Sequence, residues 1–156
     1  VSSTRVVFDV GGDDLGARVL GGFAALLVEA KAIVLQVVNE RRPFTDSLAG
    51  CQRMYRELEA AARVRIGGLV ANAHLITETT PEVVRKGVAL AREMERATGV
   101  PLVFAAVERG VAEQLAADEL GCPVLPIDRY MTSPWESAQR RDPIGRPPRT
   151  HLPLGE

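Results

Sequence analysis

Short apolar runs alternate with helical segments along this chain, and that alternation constrains its fold more than any other feature. Most of the runs are continuously apolar, which is typical of strands buried on both faces of a parallel sheet. Strand and helix in alternation predict right-handed βαβ units. We therefore expect an α/β domain with three layers, α/β/α, around a mostly parallel sheet of about five strands. The predicted strands are Val6–Val10, Ile33–Val38, Ile66–Ala71, Leu102–Val107 and Pro123–Ile127.

The segments between these runs have the spacing of amphipathic helices. Apolar residues from Leu15 to Leu27 share one face of a first predicted helix. Gly21 and Gly22 lie inside that helix and cost about 1 kcal/mol each relative to alanine, so we expect close packing there. A short fourth helix is predicted over residues 111–120.

Helix caps are also readable from the sequence. Thr80 precedes Pro81, which predicts an N-cap followed by proline in the first helical position, and Gly99 predicts the end of that helix. A second helix is predicted to begin near residue 48. Its candidate caps are Thr45, Asp46 and Ser47.

Composition excludes several classes of protein. The net charge of −1 provides no field for nucleic acid or an anionic membrane. No apolar run approaches the ~20 residues of a membrane span. Cys51 and Cys122 are the only cysteines, which favours a reducing compartment, and we expect the cytoplasm.

The chain divides into a domain and a tail. Residues 1–138 are predicted to form the α/β domain, and residues 139–156 a Pro/Arg-rich, disordered tail. Tyr130 and Trp135 either hold the C-terminal segment against the domain or face a partner. The first residues are not a signal peptide, and an apolar run follows them within a few positions. We interpret this as an internal start, although processing or the choice of an expressed fragment would look the same.

The segment from Asp9 to Asp14 contains the most chemistry. A predicted strand ends in Asp9, and Gly11 and Gly12 follow before two more acidic residues. Ligands bind at the carboxyl ends of parallel strands, where an aspartate can hold Mg²⁺ through water and a glycine lets a backbone N–H approach a phosphate. A tight turn followed by a helix cap explains the same residues equally well.

Three segments together resemble the MinD/ParA/CobQ-type P-loop ATPases. The strand–Asp–x–Gly–Gly arrangement is similar to the Walker B region of that family. The strand from Gly67 to Asn72 resembles the family strand that ends in an asparagine near adenine, and the segment from Val37 to Thr45 resembles a strand and loop leading to a capped helix. The resemblance covers roughly residues 5–120 and rests on order and spacing.

The resemblance implies a partial P-loop NTPase fold that binds ATP and Mg²⁺, with a homodimer as the expected assembly. Asp9 would order Mg²⁺ and its water. Gly12 would meet the γ-phosphate, with Gly11 beside it. Asn72 would contact adenine, since an amide both donates and accepts hydrogen bonds; alternatively, it satisfies loop backbone. For Asn39 we favour a structural role in a turn.

The chain also departs from that family. It has no GxxxxGK[ST] motif, acidic residues follow Gly12, and its only lysines, Lys31 and Lys86, belong to helical segments. We therefore expect the C-terminal part of an ATP-binding protein that is inactive alone. In the family the missing loop lies N-terminal to the acid that Asp9 matches. Its strand lies inside the sheet, so we also expect an unpaired strand edge.

Two other functions remain open. The chain could be a non-catalytic α/β module that presents residues 11–16 or its tail to an unknown protein partner. A flavodoxin-like or Rossmann-like enzyme is disfavoured, because the first strand–helix turn is acidic where those folds receive phosphate. The nucleotide of the first hypothesis could also be GTP. His74 is interpreted as a loop residue and Cys51 as a core residue.

Overall fold

The computed structural model describes residues 5–11 and 14–130. It has an α/β fold with a four-stranded, all-parallel sheet flanked by helices, which is consistent with three layers and confirms the predicted class. The strands lie in the order β1-β2-β3-β4. The elements are α1 Asp14–Gly21, α2 Ala24–Glu29, β1 Leu35–Val38, α3 Leu48–Ala62, β2 Gly68–Ala71, a 3₁₀ turn at Ile76–Glu78, α4 Pro81–Thr98, β3 Leu102–Glu108, α5 Arg109–Ala112 and β4 Val124–Ile127.

The main core lies between the sheet and the helices that connect its strands. Helices α3, α4 and α5 connect successive neighbouring strands of the sheet. Their apolar residues accordingly join one cluster with the inward side chains of the strands. The largest fully buried members are Val38, Cys51, Leu69, Met94 and Val107.

Helix α1 packs on α3 through a second, smaller cluster that includes Ala17, Ala62 and Val64. A Cβ on Gly21 would lie 2.6 Å from the carbonyl oxygen of Ala61, so the two helices approach as closely as glycine permits. This confirms the close packing expected at Gly21. The single helix predicted from Leu15 to Leu27 is wrong, since α1 ends at Gly21 and α2 begins at Ala24.

The predicted caps are confirmed. Ser47 is the N-cap of α3 and its hydroxyl accepts from the Gly50 N–H at 3.3 Å. Thr80 caps α4, and its hydroxyl accepts from the Val83 N–H at 3.4 Å. Gly99 ends α4 in the left-handed region, with φ 74°.

The first predicted strand, Val6–Val10, is wrong. Residues 5–11 have no regular secondary structure, and Val6, Val7 and Phe8 are 66%, 92% and 71% exposed. A strand forms when a neighbour pairs with its backbone, and isolated pairs are marginal even then. No described strand pairs with this segment, since β1 pairs only with β2.

Burial on both faces, predicted for most strands, holds only for β2. Strand β1 alternates between exposed and buried residues, and β4 is exposed throughout. Apolar side chains of β1, β3 and β4 remain exposed, among them Val37, Val103 and Leu125. Helix α5 is also shorter than the predicted 111–120, because turns follow Ala112.

The predicted tail, residues 139–156, lies outside the described residues, as does Trp135. Tyr130 is the last described residue, and it is 90% exposed. In the described part of the chain, no helix has the length and apolar character needed to cross a membrane.

Candidate functional site

A cleft of about 720 Å³ runs along the free side of β1. Residues 9–11 and β1 are two of its walls, and Leu20 of α1 with Met54 and Leu58 of α3 also line it. We call this space the β1 cleft. Strand β1 is an edge of the sheet, because β2 pairs with its other side.

Several candidate site residues line the β1 cleft. Asp9, Gly11, Asn39, Asn72 and His74 all line it, although they come from three separate segments of the sequence. Asn39 and Asn72 directly follow β1 and β2, and the carboxyl ends of parallel strands meet at one edge of the sheet. Thus three of the four predicted site residues, Asp9, Gly11 and Asn72, border one cleft.

The fourth predicted site residue, Gly12, lies outside the described residues. Its neighbour Gly11 rests directly on helix α1, because a Cβ on Gly16 would collide with the Gly11 carbonyl oxygen. Real Cβ atoms are never that close to a backbone atom, so any larger residue at position 16 would displace this wall. The glycine at position 16 therefore sets where the wall of the cleft stands.

Asn72 is held by its backbone and leaves its side chain available. Its N–H donates to the Val38 carbonyl oxygen at 2.8 Å, which extends the pairing of β1 and β2 by one residue. The half-buried side-chain amide forms no hydrogen bond within residues 5–11 and 14–130. An amide in this state can still donate to and accept from a ligand.

Asn39, by contrast, organises a turn. Its side-chain oxygen accepts from the Arg41 N–H at 2.9 Å, and its carbonyl oxygen accepts from the Thr45 hydroxyl at 2.7 Å. Asparagine commonly fixes turns in this way. The Cys51 thiol donates to the Thr45 carbonyl at 3.3 Å, so the turn is anchored to the core. Burial, together with the charge of Asp46, raises the pKa of Cys51 to about 11.

His74 belongs to the loop before α4. It is exposed, and its Nδ1 accepts from the Ile76 N–H at 3.4 Å. Thr79 closes the same loop, since its hydroxyl accepts from the Leu75 N–H and donates to the Ile76 carbonyl, both at 2.8 Å. These bonds support the interpretation of His74 as a loop residue.

The cleft has few positive groups. Arg42 is the only lysine or arginine side chain lining it, and neither Lys31 nor Lys86 does so. Within the described residues, no set of three His, Cys, Asp or Glu side chains could hold a metal directly. The amide of Asn72 could contact a purine base, and Asp9 could contact a metal ion through one water molecule. The residues that line the cleft do not form a cradle for phosphates.

The sequence analysis missed an ion pair at the same edge of the sheet. Arg109 donates to both carboxylate oxygens of Asp128, from Nε at 2.9 Å and from Nη2 at 2.8 Å. The bond lowers the pKa of Asp128 and raises the pKa of Arg109. Each residue directly follows a strand, β3 or β4, and that position was the available signal. Arg109 also borders a second cavity of about 740 Å³, which includes Cys122.

Comparison with protein-family models, with curated proteins and with solved structures gives no match. The resemblance to MinD/ParA-type ATPases therefore depends on this chain's own residues and their placement.

Proposed function

We propose that this chain is the C-terminal part of a MinD/ParA-like ATP-binding protein, which binds and hydrolyses ATP·Mg²⁺ when intact. Under this proposal the phosphate-binding loop comes from outside the described residues, and the chain alone is inactive. Its two cysteines are both free thiols, which supports a reducing compartment such as the cytoplasm.

One observation carries the proposal. Asp9 and Gly11 were assigned to a nucleotide site from one motif and Asn72 from another, and all three line the β1 cleft, where Asn72 directly follows the carboxyl end of β2. Open parallel sheets bind their ligands at that edge. The segment of Asp9 and Gly11 is about 60 residues from Asn72 in the sequence, so their meeting at one cleft supports the proposal.

The available side chains define a partial site. Asp9 is exposed at the cleft and can accept hydrogen bonds from a metal-bound water. Asn72 presents a free amide to a purine edge. Bound Mg²⁺ would neutralise phosphate charge in the intact protein. The phosphates need further N–H groups and a lysine, which the lining of this cleft does not provide.

Titration with a fluorescent ATP analogue and Mg²⁺ tests the proposal. The 156-residue chain is compared with a protein extended upstream along its own reading frame. We expect only the extended protein to bind. We expect Asp9→Ala to weaken its Mg²⁺-dependent binding about 10- to 100-fold, as is usual for groups that orient a metal's ligands. Competition with GTP identifies the preferred base.

Two matched variants serve as controls. Glu29→Ala removes the same charge from an exposed position outside the cleft, and Gln52→Ala removes an amide from α3 as the counterpart of Asn72→Ala. Both should bind as the parent does. Tight binding by the 156-residue chain itself would contradict the claim that its phosphate site is incomplete.

A non-catalytic protein-binding module is the second candidate. The observation that favours it is the exposure of large apolar side chains at Val6, Val7, Phe8, Ile33 and Val37, of which Val37 lines the cleft. Large exposed apolar patches mark binding surfaces in soluble proteins. Failure of both proteins to bind the analogue would favour this module over the ATPase.

A further inference from the structure

We propose that the β1 cleft is an acceptor for a β-strand, filled by an extended, uncharged polypeptide segment that pairs with β1 and packs its apolar side on α1 and α3. The inference goes beyond the proposed function, because strand addition needs no nucleotide and applies equally to a protein-binding module.

The free side of β1 has backbone groups ready for pairing. The carbonyl oxygens of Val34 and Val38 accept from Gly67 and Asn72 on the β2 side. Successive residues of a strand alternate in direction, so the N–H and C=O groups of Leu35 and Val37 point to the open side. A row of such groups is a template for another strand.

Nothing in the sequence of β1 protects this side. Proteins with a free strand edge usually carry charges or proline there to prevent pairing. Residues 32–38 contain neither, and Gln36 is their only polar side chain. An edge without such protection fits an uncharged occupant.

Gln36 supplies an independent sign of a missing partner. Its side chain is only 6% exposed and lines the cleft, and its Oε1 atom has no hydrogen-bond partner among the described residues. An unsatisfied buried acceptor costs about 1–3 kcal/mol. An N–H from an inserted segment would satisfy it.

The lining of the cleft limits what the inserted segment can be. Leu20, Met54 and Leu58 line the cleft together with β1, so the side of the segment that faces α1 and α3 must be apolar. Pairing with β1 also requires a row of backbone N–H and C=O groups, which a polypeptide has and a small apolar molecule lacks.

The test uses the 156-residue chain and a fluorescent peptide of alternating valine and isoleucine flanked by lysines, without nucleotide. A matched peptide has proline at its centre. We expect the first peptide to bind and to slow hydrogen exchange at the Leu35 and Val37 amides. Val37→Pro removes an N–H that points to the open side of β1. We expect this variant to bind the peptide about tenfold more weakly, which corresponds to ~1.4 kcal/mol.

Val124→Pro is the control, because it changes the open side of β4 instead. Leu35→Pro serves as the second test if Val37→Pro does not fold. Equal binding by the β1 proline variant and the parent, or loss of binding in Val124→Pro, overturns the inference. The chain could also prove to be a dimer that does not bind the peptide and that Val37→Pro converts to a monomer. This result overturns the inference, since a second copy of the chain then occupies the edge of β1. None of these outcomes bears on ATP binding by the extended protein.

Discussion

The two edges of the sheet, β1 and β4, differ in how they meet solvent. The Ala105 N–H donates to the Pro123 carbonyl, so alternation points the backbone of Val124 and Pro126 to the open side of β4. Proline has no N–H, and Pro126 therefore removes a donor from that side. Strand β1 has its outward N–H groups intact at the corresponding positions.

Charge does not separate the two edges. Arg109 pairs with Asp128 at the carboxyl ends of β3 and β4, Glu40 pairs with Arg41 shortly after β1, and neither β1 nor β4 contains a charged residue. Both edges expose apolar side chains, so exposure does not distinguish them either. The difference is the proline on the open side of β4, which β1 lacks. Proline at an edge strand is therefore more informative than hydrophobicity about where a sheet continues.

The largest expected effect concerns the core that both edges share. Met94 is fully buried under the sheet, and Met94→Ala should lower the free energy of unfolding by about 2–5 kcal/mol. Urea denaturation followed by thiol labelling checks this. The buried Cys51 thiol should become reactive at the same urea concentration at which the circular dichroism of the helices is lost. Separate midpoints would show that the β1 side unfolds on its own, and the comparison of two edges of one unit would fail.

A second substitution sharpens the difference at β1. Gln36→Leu removes the unsatisfied buried acceptor, and we expect the free chain to gain about 1–3 kcal/mol of stability. The same change should weaken binding of the strand peptide. Gln52→Leu on α3 is the control, and it should alter neither quantity. A destabilised Gln36→Leu protein would mean that Gln36 already has a partner in the free chain.

The titration of the Cys51 thiol tests whether the core beneath β1 excludes water although the edge of β1 is unpaired. The pKa of this thiol is about 11 in the folded protein, and the value for an unperturbed cysteine is 9.0. The unfolded chain therefore loses this proton at a lower pH than the folded chain does. The free energy of unfolding should accordingly fall as pH rises from 9.0 through about 11. Urea midpoints measured across that range check the prediction. Cys51→Ala should show a smaller fall, and an equal fall in both proteins would assign it to other groups.

The smallest effect is expected at β4. Asp128→Asn removes one partner of an exposed pair, and exposed pairs contribute little. The pKa of Asp128 is lowered in the fold, so its contribution is present above the ordinary aspartate pKa and is lost as pH falls through the folded value. Thermal melts of both proteins should thus differ slightly at neutral pH and coincide in acid. A large difference at neutral pH would mean that the pair holds the edge in place.

Much of the fold was predictable because its signals are local. Thr80, Pro81 and Gly99 bound α4 by cap chemistry that depends on a few neighbouring residues. The run from Leu102 to Val107 agrees with β3 almost residue for residue. The break between α1 and α2 was not predicted, because an amphipathic pattern continues across two glycines without showing where the axis changes.

The candidate site was predictable in part. Asp9, Gly11 and Asn72 were chosen from motifs, and all three border the β1 cleft. The Arg109–Asp128 pair was not chosen, because its partners are far apart in sequence and only strand pairing brings them together. The orphaned oxygen of Gln36 was not predictable at all, since a glutamine within an apolar run gives no sign of what surrounds it.

The sequence by itself determined the α/β class, the helix caps and the order of the strands along the chain, because these follow from periodicity and from contacts between near neighbours. Only the tertiary structure decided that residues 6–10 do not form a strand, that β1 is the strand with an open edge and that residues 9–11 line a cleft together with it. The physical reason is that an apolar run becomes a strand only when another strand meets its backbone hydrogen bonds. Whether such a neighbouring strand is present depends on the assembled sheet and cannot be inferred from the apolar run alone.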